Sequence, residues 1–340
     1  MRSRGSDGSW ESCVTTESVL ARRVTDSPDG PGADGPSRWH DVDMEPIPRI
    51  IDERIESVRL AIADALRHAV AGDDAAQRHA AIVDAPGERW FRPDGAVVRV
   101  HSDSAMFIGG LRALLLQSLH PLAMAGVAQH SDYRNDPWGR LQRTAEFLAA
   151  TTFGPDDVAR HAVDRVNAIH RRVVGTASDG RDYRADDPHL LRWVHVTEID
   201  SFLRAHQAYG ERPLTAGECD EYVRDMAVVA RKLGVNAPPE SHRGLRDQLA
   251  MFRPEVRATA ESHDVVRWLL VQPPVSNAAR IPYTLISSAA VALLPAWARM
   301  ELRIPYVPAV DTLVARPVGQ LVARTIRWAS AVDPSVPTAR

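Results

Sequence analysis

Between residues 104 and 329, apolar residues recur every three to four positions. That is the spacing of one face of an α-helix. The pattern predicts helices over 104–119, 121–130, 137–152, 156–174, 187–208, 215–233, 243–249, 254–270, 277–293 and 311–329, with an earlier one from about Ile51 to Val70. Pro121, Pro137, Pro155, Pro188 and Pro295 stand at starts and stops. In "WFRPDGAVVRV" two short apolar runs flank Pro-Asp-Gly, which predicts a small β-hairpin from Trp90 to Val100. Residues 1–45 lack periodicity and are rich in Gly, Ser, Asp and Pro, the composition of a disordered tail. The expected fold class is all-α: one large helical domain over 46–335, with the small hairpin on its N-terminal side.

Three helices carry polar groups on apolar faces. In the helix after "GPDD", Val158, Ala162, Val163, Val166, Ile169 and Val173 form an apolar arc that includes His170, while His161 lies on the solvated side. In the preceding helix Leu141, Thr144, Phe147, Leu148 and Thr151 share a face, with Arg140 at its edge and Arg143 at its border. A buried guanidinium cannot lose its proton, so Arg140 there calls for a carboxylate, carbonyl cluster or anionic ligand. In the helix after Asp187, Leu191, His195, Ile199, Phe202 and His206 form one stripe, and His195 with Glu198 makes an H-x-x-E pair. Each histidine also has a bland reading, as a core residue whose ring is satisfied by a neighbour. His120 and His130 stand at helix ends, where they could serve free backbone carbonyls. Asp136, ahead of Pro137, reads as a helix N-cap, with Asp132 and Tyr133 shaping the turn. No Gly-rich phosphate loop and no G-x-S-x-G elbow is present.

Composition excludes some partners. Against 44 acidic residues stand 41 basic ones, a net charge of −3, so no basic surface for nucleic acid is expected. Of the basic residues only Lys232 is a lysine. The two cysteines, Cys13 and Cys219, support neither a disulfide framework nor a cysteine metal site. The most apolar windows, Ala105–Val127 and Ile281–Met300, are broken by Arg112, His120 and Pro121 and by Ser287, Ser288 and Pro295, so no transmembrane segment is expected. With no signal-peptide pattern, the expected location is cytoplasmic. Nothing in the pattern fixes an oligomeric state.

The stretch "LLLQSLHPLAMAGVAQHSDYRNDPWGRLQRTAEFLAATTFG" resembles the bacterial rubber oxygenase (latex clearing protein) catalytic domain, also described as the MpaB-type oxygenase family. The likeness continues through "VNAIHRRVVG", "YRADDPHLLRWVHVTEIDSFL", "LTAGECDEYV" and "LLPAWARMELRIP", over roughly 105–305. The resemblance implies an all-α fold with a globin-like core. It implies haem b, whose iron takes a proximal histidine matched by His170. An arginine and a threonine important for haem binding and activity match Arg140 and Thr144. In some rubber oxygenases a lysine one residue before that threonine caps the iron. Here that position is Arg143, which has no lone pair for iron, so the capped state is not expected.

The expected activity is therefore that of a haem oxygenase, using O2 on a lipophilic, isoprenoid-like small molecule by oxidative C=C cleavage. His170 would be the proximal ligand, with its other nitrogen donating to a backbone carbonyl. Arg140, Arg143 and Thr144 would hold the cofactor, and His195 would be a further catalytic group. Phe147, Leu148 and Phe202 would line the substrate pocket, with Glu146 or Glu198 as base. Two rivals stand beside this reading. One is a non-haem metal oxygenase or hydrolase built from His120, His130, His170 and His195. The other is a non-catalytic helical protein that binds haem or another ligand.

Overall fold

The computed structural model describes residues 56–57, 59–60, 75–277 and 279–331. The tail read over 1–45 and most of the helix read over 51–70 lie outside the described residues. The order is α1 (Ala75–Ile82), α2 (Ala96–His101), α3 (Ala105–Gln117), α4 (Pro121–His130), α5 (Pro137–Phe153), α6 (Asp156–His170), β1 (Val174–Thr176), β2 (Asp182–Arg184), α7 (Pro188–Tyr209) and α8 (Ala216–Lys232). There follow α9 (His242–Met251), α10 (Ala260–Leu270), α11 (Arg280–Ala292), α12 (Ala296–Glu301) and α13 (Pro308–Val310), which runs through a π-helical turn, Asp311–Ala315, into α14 (Arg316–Ser330). The described part is all-α apart from the antiparallel pair β1–β2.

The organising element is α7. Asp187 caps it by accepting from His189 N, and Pro188 opens its first turn. Its stripe of Leu191, His195, Ile199, Phe202 and His206 is buried, as the spacing predicts. Helix α3 packs along it at close range. A Cβ on Gly109 would stand 2.9 Å from Phe202 Cδ1 and 3.1 Å from Phe202 Cα, so only glycine permits this approach. At the same seam Arg112 meets Asp200 at 2.9 Å, both of them 1% exposed. Arg112 also donates to Ser201 Oγ at 2.6 Å and to the Leu293 carbonyl at 3.0 Å. Such a pair offsets its desolvation only when hydrogen bonds complete it, and here they do.

Helices α5 and α6 form a hairpin turned at Gly154–Pro155. Asp136 caps α5 by accepting from Gly139 N at 2.9 Å. Asp156 and Asp157 in the first turn of α6 complement its dipole. The half nearest the turn is buried: Ala150, Thr151, Thr152, Ala159, Ala162 and Val163, with Ile82 of α1 packed there. At the opposite end, among the described residues, Leu141, Ile169 and Trp138 are exposed, and so is Thr144.

The expected hairpin at Trp90–Val100 is corrected. Ala96–His101 is helix, and Ala96, Val97 and Val100 are buried on one side of it. Their i, i+1, i+4 spacing suits a helix, and packing against the core outweighs the strand preference of valine. The small hairpin lies instead at 174–184, where Val174 pairs with Arg184. It ends α6 at His170, short of the expected 174. Helix α10 begins at Ala260 rather than 254, because Thr259 and Ser262 form a capping box there. No single described helix is long and apolar enough to cross a membrane; α3 and α4 reach that length only together, and they bend by 106° between them.

Candidate functional site

Arg165 of α6 pairs with Glu146 of α5 at 2.9 Å and marks the register of the hairpin. Arg140 lies six residues before Glu146, about 9 Å along α5, and His170 five residues after Arg165, about 7.5 Å along α6. Because the helices run antiparallel, the two residues stand at the same end of the hairpin.

His170 closes α6 and is half-buried. Its Nδ1 is shut off from solvent and has no hydrogen-bond partner among the described residues. Burial lowers the imidazole pKa, opposed by the charge of Asp186. Among the described residues the expected donation to a backbone carbonyl is not made. The nearby carbonyls are engaged by the turn that leaves the helix, since Arg171 N takes Asn167, Arg172 N takes Ile169 and Val173 N takes the carbonyl of His170 itself.

Arg140 donates to Ser131 Oγ. Among the described residues no carboxylate pairs with it. Desolvation lowers its pKa, the neighbouring Arg143 adds to this, and Tyr133 opposes. Arg143 is exposed and held at 3.1 Å by Asp136 Oδ2, the same carboxylate that caps α5. Thr144 does not sit on a buried face as expected. It is exposed, and its hydroxyl donates back to the Arg140 carbonyl at 3.0 Å. Ile169, placed in the apolar arc of α6, is exposed as well. Both departures have one cause: among the described residues no element covers the far end of the hairpin. His161 is exposed, as its face predicts.

Deeper in the molecule, His195 of α7 is buried with Nε2 unpartnered, and desolvation takes its pKa down to about 3. Glu198, one turn on, has its pKa pushed up to about 7 by desolvation. Its charge is felt by Tyr222 of α8, whose phenol is raised well above its ordinary value by burial first and then by Glu198 and Asp200. Tyr222 Oη lies 3.3 Å from His101 Nε2, and His101 Nδ1 lies 2.8 Å from Thr152 Oγ1. Burial, then the charge of His206, takes His101 down to about 3. A polar line thus runs from α5 through α2 and α8 toward α7. His101, Thr152 and Tyr222 had no signal in the sequence, since they lie on three helices remote from one another and no spacing links them. Glu146, an expected base, is engaged by Arg165. Of the expected pocket, Phe147 and Leu148 are half-buried against the main core, and Phe202 is buried edge-on to His101.

The four histidines expected as one metal set do not come together. His130 Nε2 lies 3.1 Å from the Val174 carbonyl, the backbone role its position suggested. His170 and His195 join no metal-competent group among the described residues. His120 faces His189 and Glu255, and the three offer ligand atoms within 4.8 Å of one another.

Residues 98–328 match the family described as ER-bound oxygenase mpaB/B'/Rubber oxygenase, catalytic domain. The chain belongs to that family, whose shared domain is an oxygenase catalytic domain. Uncharacterized proteins of Mycobacterium bovis and Mycobacterium tuberculosis are each 32% identical to it over 99 residues, which is 29% of this chain and 36% of each relative. The chain thus spans about a third of the length of these relatives. No solved structure matches it.

Proposed function

We propose that this chain is a haem b-dependent oxygenase of lipophilic, isoprenoid-like small molecules, with O2 as co-substrate. One observation carries the reading: at the same end of the α5–α6 hairpin stand a half-buried imidazole, His170, and a guanidinium, Arg140, that no carboxylate among the described residues pairs. Haem answers both needs, because its iron takes a neutral imidazole and its propionates take a guanidinium. His170 would hold the iron and Arg140 a propionate. Arg143 stays with Asp136. Bound there, haem would supply the activation of O2.

The chain's own residues supply the rest. Burial keeps His170 neutral, so its lone pair is available near neutral pH. Leu141 and Ile169 offer apolar surface to a macrocycle, and Thr144 offers a hydroxyl beside it. Of the two expected bases, Glu146 is engaged by Arg165, which leaves Glu198, whose carboxyl burial raises to about 7, as the candidate. His195 stays neutral and has a free ring nitrogen for a hydrogen bond.

The test is O2 uptake by the full chain reconstituted with haemin, offered polyisoprenoid and other lipophilic alkenes, with carbonyl products read by mass spectrometry. Haemin-dependent uptake with carbonyl products is expected. Haem binding with no uptake on any alkene would leave a haem-carrying binding protein instead.

A further inference from the structure

The group formed by His120, His189 and Glu255 takes no part in the chemistry above, and three separate contacts build it. His120 precedes Pro121, which holds it in extended backbone (φ −88°, ψ 114°) at the break between α3 and α4. His189 is fixed in the first turn of α7, where its N–H is tied to Asp187 at 2.8 Å. Glu255 lies in the turn after α9, its N–H bonded to the Phe252 carbonyl at 2.9 Å. That turn is fastened to the α3–α4 break, because Arg257 N donates to the Leu119 carbonyl at 2.9 Å. Ser262 Oγ does the same to the Ser118 carbonyl at 2.6 Å.

Within this frame His189 Nε2 stands 2.7 Å from Glu255 Oε2, and His120 Nε2 stands 3.8 Å from the same oxygen. Ligands on zinc arms of about 2.0–2.1 Å are roughly 3.3 Å apart on a tetrahedron. The two observed separations bracket that value. His120 is 2% exposed, and neither of its ring nitrogens has a hydrogen-bond partner among the described residues. A buried imidazole left so costs free energy unless something takes its lone pair. Phe252 and Trp193 pack their rings about it, with centroids 6.4 Å and 6.0 Å away. A cavity of about 60 Å³ opens beside the group, lined by His189, Arg192, Gln248, Met251, Phe252 and Glu255. Gln248 Oε1 and Arg192 Nε are buried without partners on that side, so the cavity wall still has hydrogen bonds to make.

We propose that His120, His189 and Glu255 bind one divalent first-row transition ion of the zinc and cobalt class, through two imidazole nitrogens and one carboxylate oxygen. The fourth position is left for water on the side of the cavity. Two imidazoles and one carboxylate are a ligand set such ions favour, and three protein ligands leave a place open. The ion joins three segments remote in sequence: the α3–α4 break, the start of α7 and the turn after α9. It is therefore also a clip on the fold. The proposal does not depend on haem at His170, and its test keeps the two apart.

The experiment is Co²⁺ titration of the untagged full chain after chelator dialysis, read by visible absorption, with Zn²⁺ competition and thermal melting alongside. His189→Gln and Glu255→Gln change exposed residues and leave the buried core intact. The wild-type chain is expected to take one equivalent of Co²⁺ with the intense visible bands of a four- or five-coordinate ion, to lose them to Zn²⁺, and to melt at higher temperature with either ion. Both variants should bind at least tenfold more weakly and lose the thermal shift, while His170→Ala keeps both. A wild-type chain that shows no such bands, or variants that bind as tightly as wild type, would overturn the site. A protein in which His189 and Glu255 are only a surface hydrogen-bonded pair gives those results.

Discussion

The ion pair between Arg165 and Glu146, 2.9 Å across the α5–α6 hairpin, marks which residues stand level at its far end. Arg140 and His170 stand level there, Arg140 without a carboxylate partner and His170 with Nδ1 unpartnered among the described residues. An imidazole and a guanidinium so placed suit a charged planar ligand.

The guanidinium of Arg140 is the more easily tested of the two. A hydrogen bond to a charged group contributes about 1.5–3 kcal/mol. Arg140→Gln should therefore weaken haemin binding by roughly 10- to 100-fold without moving the position of the absorption band. Equilibrium titration with haemin measures it. Arg143→Gln should change the affinity far less, since Arg143 is exposed and already paired with Asp136.

The seam between α3 and α7 gives a stability prediction. Asp200→Ala leaves the Arg112 guanidinium buried with no counter-charge. The expected loss is about 3–5 kcal/mol in urea unfolding. A loss below 1 kcal/mol would mean that Ser201 and the Leu293 carbonyl satisfy Arg112 by themselves.

Stability should vary with pH in two directions. Glu198 has a folded pKa of about 7 against an ordinary 4.5, so the folded state binds more protons than the unfolded state between those values. Its contribution falls as pH rises across that window and is level above it. Glu198→Gln should match wild type near pH 4.5 and exceed it at pH 8, by on the order of 2 kcal/mol. His101 and His195 act oppositely. Their folded values near 3 against an ordinary 6.5 mean that stability falls as pH drops through that range. His195→Leu should flatten part of that acid limb. Urea midpoints at pH 4.5, 6.5 and 8 separate the two effects.

Much of the architecture could be read from the chain because its local signals agree. Asp187 and Pro188 start α7, and Leu191, His195, Ile199, Phe202 and His206 repeat at helical spacing, so both the helix and its buried stripe were legible. Val97 and Val100 misled, because β-branched residues suit strands until packing decides between one face and the other. The inward turn of His170 followed from its helix, but the exposure of Thr144 did not. Periodicity tells which residues share a face, not whether anything covers it. The partnership of His189 with Glu255 was out of reach for another reason. The two are 66 residues apart and meet because Arg257 is bonded to the Leu119 carbonyl, a contact with no local pattern.

The most direct test of the central claim is the absorption spectrum of the full chain and of His170→Ala, each reconstituted with one equivalent of haemin. The account predicts an intense Soret band of bound haem in the wild-type chain, absent or shifted to that of free haemin in the variant. The same bound spectrum from both proteins would contradict it.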